Sequence, residues 1–129
     1  MKDIETEEDI DRWMHAFYEK LLVDEVTAPK FKDLDLEAHM PKLVQFWAFV
    51  LLDKPGYSTN VFDKHIHLHL EKPHFDVWLK YFRATTDEMF SGERANIAKQ
   101  RVTLIATTFM HKLSGEYHDF SEQKKDESA

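Results

Sequence analysis

Apolar side chains recur at α-helical spacing over most of this chain, and this periodicity limits its possible folds more than any other feature. Four long segments carry the pattern, each bounded by residues that favour helix starts or stops. We expect helices over Thr6–Val23, Leu36–Leu52, Lys72–Met89 and Glu93–Leu113. Strand signals are almost absent, so the sequence predicts an all-α protein.

Two local patterns bear on where the first two helices begin. Thr6 and Asp9 are three residues apart and match a capping box, in which each residue bonds the backbone of the other. Pro41 complicates the second helix, because a proline beyond the first turn removes a backbone hydrogen bond. Regular helix is therefore expected to begin nearer Ala38 than Leu36.

The connections and the chain end are polar. Pro29 ends the first helical region, and Phe31 stands as the apolar anchor of a polar connection before the second helix. The 129 residues suit one domain with one core, expected over residues 1–115. Residues 116–129 are charged and lack any period, which predicts a disordered tail.

Composition excludes several classes of function. The net charge of −7 would repel a nucleic-acid backbone or an anionic lipid surface, so neither is expected as a partner. The sequence has no cysteine, which excludes disulfides, thiolate metal sites and a cysteine nucleophile. Acidic residues occupy the N-terminal positions where a signal peptide would be apolar, so we expect a cytoplasmic protein.

Histidines are concentrated in one short stretch, at His65, His67, His69 and His74. Histidine is the commonest protein metal ligand, so the cluster raises the possibility of a metal. The first three share a face if the stretch is a strand, and could then hold zinc or non-haem iron. If it is a helix, His65 and His69 share a face without His67. Periodicity does not choose between the two.

Several short motifs occur in a defined order and spacing along residues 8–113. In combination they resemble the group III truncated haemoglobins. They are Phe17-Tyr18-Glu19-Lys20, Phe31, His39-Met40-Pro41-Lys42-Leu43 leading into Phe46-Trp47, then His65, and His74-Phe75-Asp76-Val77-Trp78-Leu79.

The resemblance implies a truncated globin, a two-over-two helical sandwich with a short proximal helix, and a single haem-binding domain over residues 1–115. It implies haem b as the cofactor. His65 matches the family's proximal histidine, the ligand of the haem iron. His67 and His69 fall where the family varies, and His69, one helical turn on from His65, is the alternative ligand.

The resemblance also assigns residues around the haem. On the distal face it places Tyr18, His39, Leu43 and Trp78 around the bound ligand, where the Tyr18 hydroxyl and Trp78 indole would donate hydrogen bonds. Leu43 would close the apolar side, and His39 could donate a bond or gate entry. From the residues alone, other roles stay open: Tyr18 bonded to a backbone carbonyl, Trp78 as plain core, and His39 as a solvated residue.

The remaining expected haem contacts are aromatic. Phe31 matches a residue that wedges against the porphyrin, and Trp47, Phe75 and Phe82 face inward and are expected to line the cavity. Flat apolar surfaces suit a porphyrin, because burial of apolar area supplies much of its binding. The full set expected to contact the cofactor is Phe31, His39, Leu43, Trp47, His65, Phe75, Trp78 and Phe82.

The function implied by the resemblance is binding of dioxygen and other diatomic ligands, for storage or transport, by a monomeric protein. Nitric oxide, carbon monoxide, cyanide and peroxide are further expected ligands. An enzymatic alternative is nitric oxide dioxygenation or peroxide reduction, supported by an electron-donating reductase. A haem-free zinc or iron protein using His65, His67 and His69 is a third hypothesis, and a purely structural helical module is a fourth.

Overall fold

The computed structural model describes residues 1–55 and 70–113. Both ranges are helical apart from short connections, and neither contains a strand, which agrees with the all-α prediction. The helices are α1 (Glu7–Val23), α2 (Ala28–Phe31), α3 (Leu36–Leu52), α4 (Lys72–Met89) and α5 (Glu93–Leu113).

The predicted capping box begins α1. The Asp9 amide donates to Thr6 Oγ1 at 3.0 Å, and the Thr6 amide donates to Asp9 Oδ2 at 3.1 Å. Asp9 is only 3% exposed and also accepts from Lys2 and Arg12, at 2.7 and 2.8 Å. Burial acts to raise the pKa of the Asp9 carboxyl, but these hydrogen bonds outweigh it and hold that pKa far below its ordinary value.

The start of α3 differs from one prediction. Helix begins at Leu36 rather than near Ala38, so Pro41 lies inside it. Asp35 caps the first turn, because its carboxylate accepts from the Ala38 amide at 3.3 Å. Pro41 has no N–H to donate to the Glu37 carbonyl four residues back, so the helix tolerates one missing hydrogen bond near its start.

The connection between α1 and α3 is more ordered than the sequence predicted. It contains the one-turn helix α2, with Pro29 near its start, where a fixed φ and a missing N–H are harmless. Fully buried Thr27 anchors this turn by donating from its hydroxyl to the Leu21 carbonyl at 2.7 Å. As expected, Phe31 is the apolar anchor, 5% exposed.

The turn between α4 and α5 is tied to the start of the chain. The Asp3 carboxylate accepts from the Arg94 and Ala95 amides, at 2.8 and 2.9 Å, and so caps α5 from a distant part of the sequence. Gly92 has φ +146°, and a Cβ on it would lie 2.6 Å from the Asp3 side chain. Only glycine fits both this backbone conformation and this close approach.

Two helix pairs form the layers of the fold. α1 packs against α3, α4 packs against α5, and α1 also contacts α4. Trp13 is fully buried at the centre, with its ring centroid 5.4 Å from that of Trp47 and 5.2 Å from that of Phe82. None of the helices in the described ranges is both long and apolar enough to span a membrane.

Several predictions concern residues outside the ranges 1–55 and 70–113. The histidines His65, His67 and His69, the short proximal helix, and the tail at 116–129 lie outside the described residues.

Candidate functional site

Tyr18 is the centre of one group of predicted site residues. It lies on the inner face of α1 and is 3% exposed. Its ring packs edge-on against Phe31 of α2, with centroids 6.1 Å apart, and against His39 of α3, with centroids 6.2 Å apart. Three elements therefore bring together three residues that the sequence assigned to one site.

The Tyr18 hydroxyl has no hydrogen-bond partner among the residues that the structure describes. A core tyrosine bonded to a described backbone carbonyl, the simpler interpretation of this residue, is therefore not what the structure contains. Burial raises the pKa of the Tyr18 hydroxyl well above its ordinary value. The group thus remains a protonated donor at any physiological pH. The fully enclosed side-chain oxygen without a partner among the described residues is that of Thr85, so the Tyr18 oxygen keeps some accessible surface, at which a bound group could accept its hydrogen bond.

Three further predicted site residues lie on successive turns of α3. His39 lies in the first turn and is half-buried, and Leu43 lies one turn further along. Leu43 is partly buried and packs against the main apolar core. Trp47, a further turn on, is 4% exposed and belongs to that core.

Trp78 joins the two apolar clusters of the protein. Its ring centroid lies 6.2 Å from that of Phe17, 6.3 Å from that of Phe75 and 6.5 Å from that of Phe82. Phe75 belongs to a second, smaller cluster with Ala106 and Phe109 of α5. Trp78 is half-buried, so it is neither a plain core residue nor a surface residue.

The three tryptophan indoles differ in whether their N–H groups donate a hydrogen bond. Trp13 Nε1 donates to the Thr86 hydroxyl at 3.0 Å, as expected of a buried indole. No described residue accepts from the indole N–H of Trp47 or Trp78. Both indoles are therefore unpaired among the described residues, and Trp78 is the one that the sequence assigned to the distal face together with Tyr18.

Two of the expected cavity-lining residues lie in the central core. Phe82 is 1% exposed, with centroid distances of 5.3 Å to Phe17 and 5.4 Å to Trp47. Both Trp47 and Phe82 also contact Trp13. Their packing supports the residues of the site, and direct contact with a cofactor stays a prediction for both.

The chemistry of the described residues fits a porphyrin with a diatomic ligand. The Tyr18 hydroxyl and the Trp78 indole could serve a polar ligand, and α3, α4 and α5 carry apolar side chains that are only partly buried. A flat apolar group could cover these, with the favourable free energy that follows from removing apolar area from water. They are Leu43, Phe46 and Val50 on α3, Trp78 and Leu79 on α4, and Ile105 and Met110 on α5.

The proposed iron ligand itself is not among the described residues. Within residues 1–55 and 70–113, no group of three or more His, Asp or Glu side chains is arranged to hold a metal ion. The three-histidine metal hypothesis falls on residues 65–69, outside those ranges.

Sequence reasoning missed two features near the site. Phe17 was given no role beyond its place in the Phe17-Tyr18-Glu19-Lys20 motif, yet its ring packs against those of Tyr18, Trp78 and Phe82 and so links Tyr18 to Trp78. Its position beside Tyr18 in the FYEK motif was the available signal. The second feature is the contact between His15 of α1 and Glu37 of α3, for which apolar periodicity provides no signal.

Comparisons with known proteins converge on one family. The chain is 31% identical over 114 residues to the group 3 truncated haemoglobin ctb of Campylobacter jejuni, which covers 83% of this chain and 90% of that relative. The crystal structure of the group III truncated haemoglobin from Campylobacter jejuni matches with a TM-score of 0.76 and 30% identity, covering 88% of this chain and 95% of that one. No family model matches.

Proposed function

The chain belongs to the group III truncated haemoglobins, a family of globin haem proteins, and we propose that it binds dioxygen and other diatomic ligands at a haem b held by His65. The observation that supports this most directly is the buried Tyr18 hydroxyl, which has no acceptor within the described chain. The group that fills this role is the bound ligand.

The ligand pocket uses the donors that the structure leaves unpaired. When bound, haem supplies the iron atom that takes a diatomic ligand. A dioxygen ligand held there would carry partial negative charge, so O–H and N–H donors would stabilise it. Tyr18 and Trp78 are these donors in our proposal. Leu43 keeps water away from them, and His39 lies at the edge of the pocket.

We propose haem b as the cofactor, and the lack of cysteine excludes thioether attachment of the porphyrin. Its binding then depends on apolar burial and on one imidazole. His65 supplies a neutral ring nitrogen to the iron, while a carbonyl or carboxylate holds the other N–H. Phe31 and Phe75 supply apolar surface against the porphyrin.

The decisive experiment is an absorption spectrum of the protein reconstituted with haemin and then reduced. We expect a Soret band that shifts on addition of carbon monoxide or dioxygen. His65→Ala should lose or alter this band, because the axial imidazole is gone. His67→Ala is the matched control, and it should keep the wild-type spectrum.

Two outcomes would overturn parts of this assignment. If His69→Ala, rather than His65→Ala, abolishes the band, the iron ligand is the histidine one turn on. If the wild-type protein takes up no haem in a one-to-one ratio, the haem assignment itself fails. Metal analysis of that protein would then test the zinc or iron hypothesis.

A redox role is the second candidate, and the pairing of two donors favours it. Several hydrogen bonds to one ligand slow its escape, which suits chemistry better than rapid delivery. In this role the protein would combine nitric oxide, dioxygen and one electron to give nitrate, or would reduce a peroxide with two electrons and two protons, and a reductase would supply the electrons in both cases. Stopped-flow kinetics separates the roles: dioxygen release within milliseconds, and no turnover with nitric oxide or peroxide, would exclude the redox role.

A further inference from the structure

A histidine bridges the helices that carry Tyr18 and His39. His15 Nδ1 lies 2.9 Å from the Asp11 carbonyl oxygen and 2.8 Å from Asp11 Oδ1, both on α1. His15 Nε2 lies 3.2 Å from Glu37 Oε2 on α3. His15 and Glu37 will be called the α1–α3 clamp.

The protonation state of His15 decides whether the clamp is complete. A carbonyl oxygen and a carboxylate can only accept hydrogen bonds, so each of the two ring nitrogens faces an acceptor. Neutral imidazole carries one N–H and satisfies one side, whereas the imidazolium carries two and satisfies both. The geometry of the clamp therefore requires the protonated ring.

The clamp is attached to a part of α3 that has lost a backbone hydrogen bond. Glu37 is two residues before His39, and its carbonyl receives no amide hydrogen bond from Pro41. The first turn is otherwise held by Asp35, whose carboxylate accepts from the Ala38 amide at 3.3 Å and whose carbonyl accepts from the His39 amide at 3.0 Å. On α1, His15 lies three residues before Tyr18 and thus less than one turn from it.

We propose that the α1–α3 clamp is a positioning device for the ligand pocket: protonated His15 holds the first turn of α3, with His39, against α1 and slows ligand entry to Tyr18. Loss of the proton leaves one N–H, which stays on Nδ1 beside the carbonyl and carboxylate oxygens of Asp11, so Glu37 is released, this turn loosens and the route opens. The inference rests on the proposed function, because it concerns entry of the ligand bound at the haem.

The charged groups that act on His15 are few. Asp11 on its own helix and Glu37 on α3 are both acidic. No described residue of α2 or α4, which also pack against α1, forms an ion pair or hydrogen bond with His15. The Asp11 carbonyl first, and then the Glu37 carboxylate, raise the pKa of His15 above its ordinary value despite its partial burial. The clamp is consequently complete at low pH and is lost as pH rises through that raised pKa.

The kinetic test is carbon monoxide association with the reduced, haem-loaded protein, measured by flash photolysis between about pH 5.5 and 8.5, a range that brackets the titration of histidine. The wild-type association rate should rise with pH by roughly two- to fivefold, the size expected of a solvent-accessible ion pair. Glu37→Gln should associate rapidly at every pH, because it lacks the charge that secures His15.

The matched control is Glu19→Gln, which removes one charge from the exposed side of α1 beside Tyr18. Glu19 forms no ion pair with any described residue. This variant should keep the wild-type pH profile. If Glu37→Gln also keeps that profile, the pH dependence comes from another group, such as His39, and the clamp is refuted.

A second measurement does not depend on haem. In the protein without cofactor, NMR should report an elevated pKa for His15 in the wild type that falls in Glu37→Gln. Amide hydrogen exchange over residues 38–40 should be slower at low pH in the wild type only. If neither the pKa of His15 nor the amide exchange of residues 38–40 differs between the wild type and Glu37→Gln, the clamp is refuted even where haem binds. If the wild-type protein takes up no haem, the proposed function fails, and the role of the clamp in ligand entry fails with it. The His15 pKa and the amide exchange would then still establish the contact between His15 and Glu37.

Discussion

At the scale of single residues, the site is defined by unsatisfied donors. Trp13 and Tyr18 are both almost fully buried on α1, yet the indole of Trp13 bonds Thr86 while the hydroxyl of Tyr18 meets no acceptor among the described residues. The fully enclosed unpaired hydroxyl among the described residues is that of Thr85, whereas the Tyr18 oxygen keeps some accessible surface. A ligand that accepts from Tyr18 there would complete its hydrogen bonding.

Replacing the hydroxyl of Tyr18 should separate function from stability. We expect Tyr18→Phe to raise the dioxygen dissociation rate by roughly tenfold, the effect of losing one hydrogen bond of about 1.4 kcal/mol. Without haem, the free energy of unfolding should not fall, because no described hydrogen bond is lost. Stopped-flow release of dioxygen and urea unfolding measure the two quantities.

Tyr81→Phe is the control for this experiment. Its hydroxyl donates to Asp24 at 2.6 Å, away from the Tyr18 contacts. This variant should lower stability modestly and leave dioxygen release unchanged. Slower release from Tyr18→Phe than from wild type would contradict the role assigned to the Tyr18 hydroxyl.

At the scale of elements, helix ends were mostly decided locally. The predicted bounds of α4 and α5 and the predicted end of α3 agree with those observed, and α1 starts one residue after its predicted first residue, because Thr6 is the cap itself. The prediction of a later start for α3 was wrong. A helix with a capping Asp35 can lose the single bond that Pro41 cannot donate. The same defect leaves the turn that carries His39 dependent on contacts with α1.

The cap of α1 should contribute measurably to stability. We expect Thr6→Ala to lower the free energy of unfolding by about 1 kcal/mol, because the Asp9 amide loses its acceptor. Thr108→Ala, on the exposed side of α5, is the control and should change little. Urea denaturation monitored by circular dichroism measures both, and equal midpoints for the two variants would show that the cap is not needed.

At the scale of the whole molecule, the N-terminal residues connect the two helix pairs. Residues before α1 cap α5 through Asp3 and pair with Asp9 through Lys2. These contacts join the first and last helices around the core. The domain limits, the monomeric state and the cytoplasmic location stay predictions, which the fold alone does not test.

The buried carboxylate of Asp9 should make the fold acid-sensitive. Its pKa is lowered in the folded protein, so its stabilising effect is present above the unfolded pKa of about 3.9 and is lost as pH falls below it. We expect the unfolding free energy to fall steeply below about pH 4, and Asp9→Asn to be less stable at neutral pH with a shallower acid slope. Asp33→Asn, on the exposed connection before α3, is the control. A parallel acid slope in Asp9→Asn would show that other carboxylates dominate.

The sequence alone determined the all-α class, the long helices and, through the order of its FYEK, HMPKL and HFDVWL motifs, the family to which the chain is related. These properties depend on local signals: caps, prolines, apolar spacing and motif order. The sequence also nominated Tyr18, His39 and Trp78, and the structure places Tyr18 beside His39.

Only the tertiary structure decided which groups face one another. Periodicity shows which face of α1 is buried but not what it meets, so it could not show that the Tyr18 hydroxyl lacks an acceptor or that His15 reaches Glu37. It equally could not show that Asp3 caps α5, since the two are some ninety residues apart. Contacts between distant segments depend on how the helices pack, and local sequence preferences do not specify that packing.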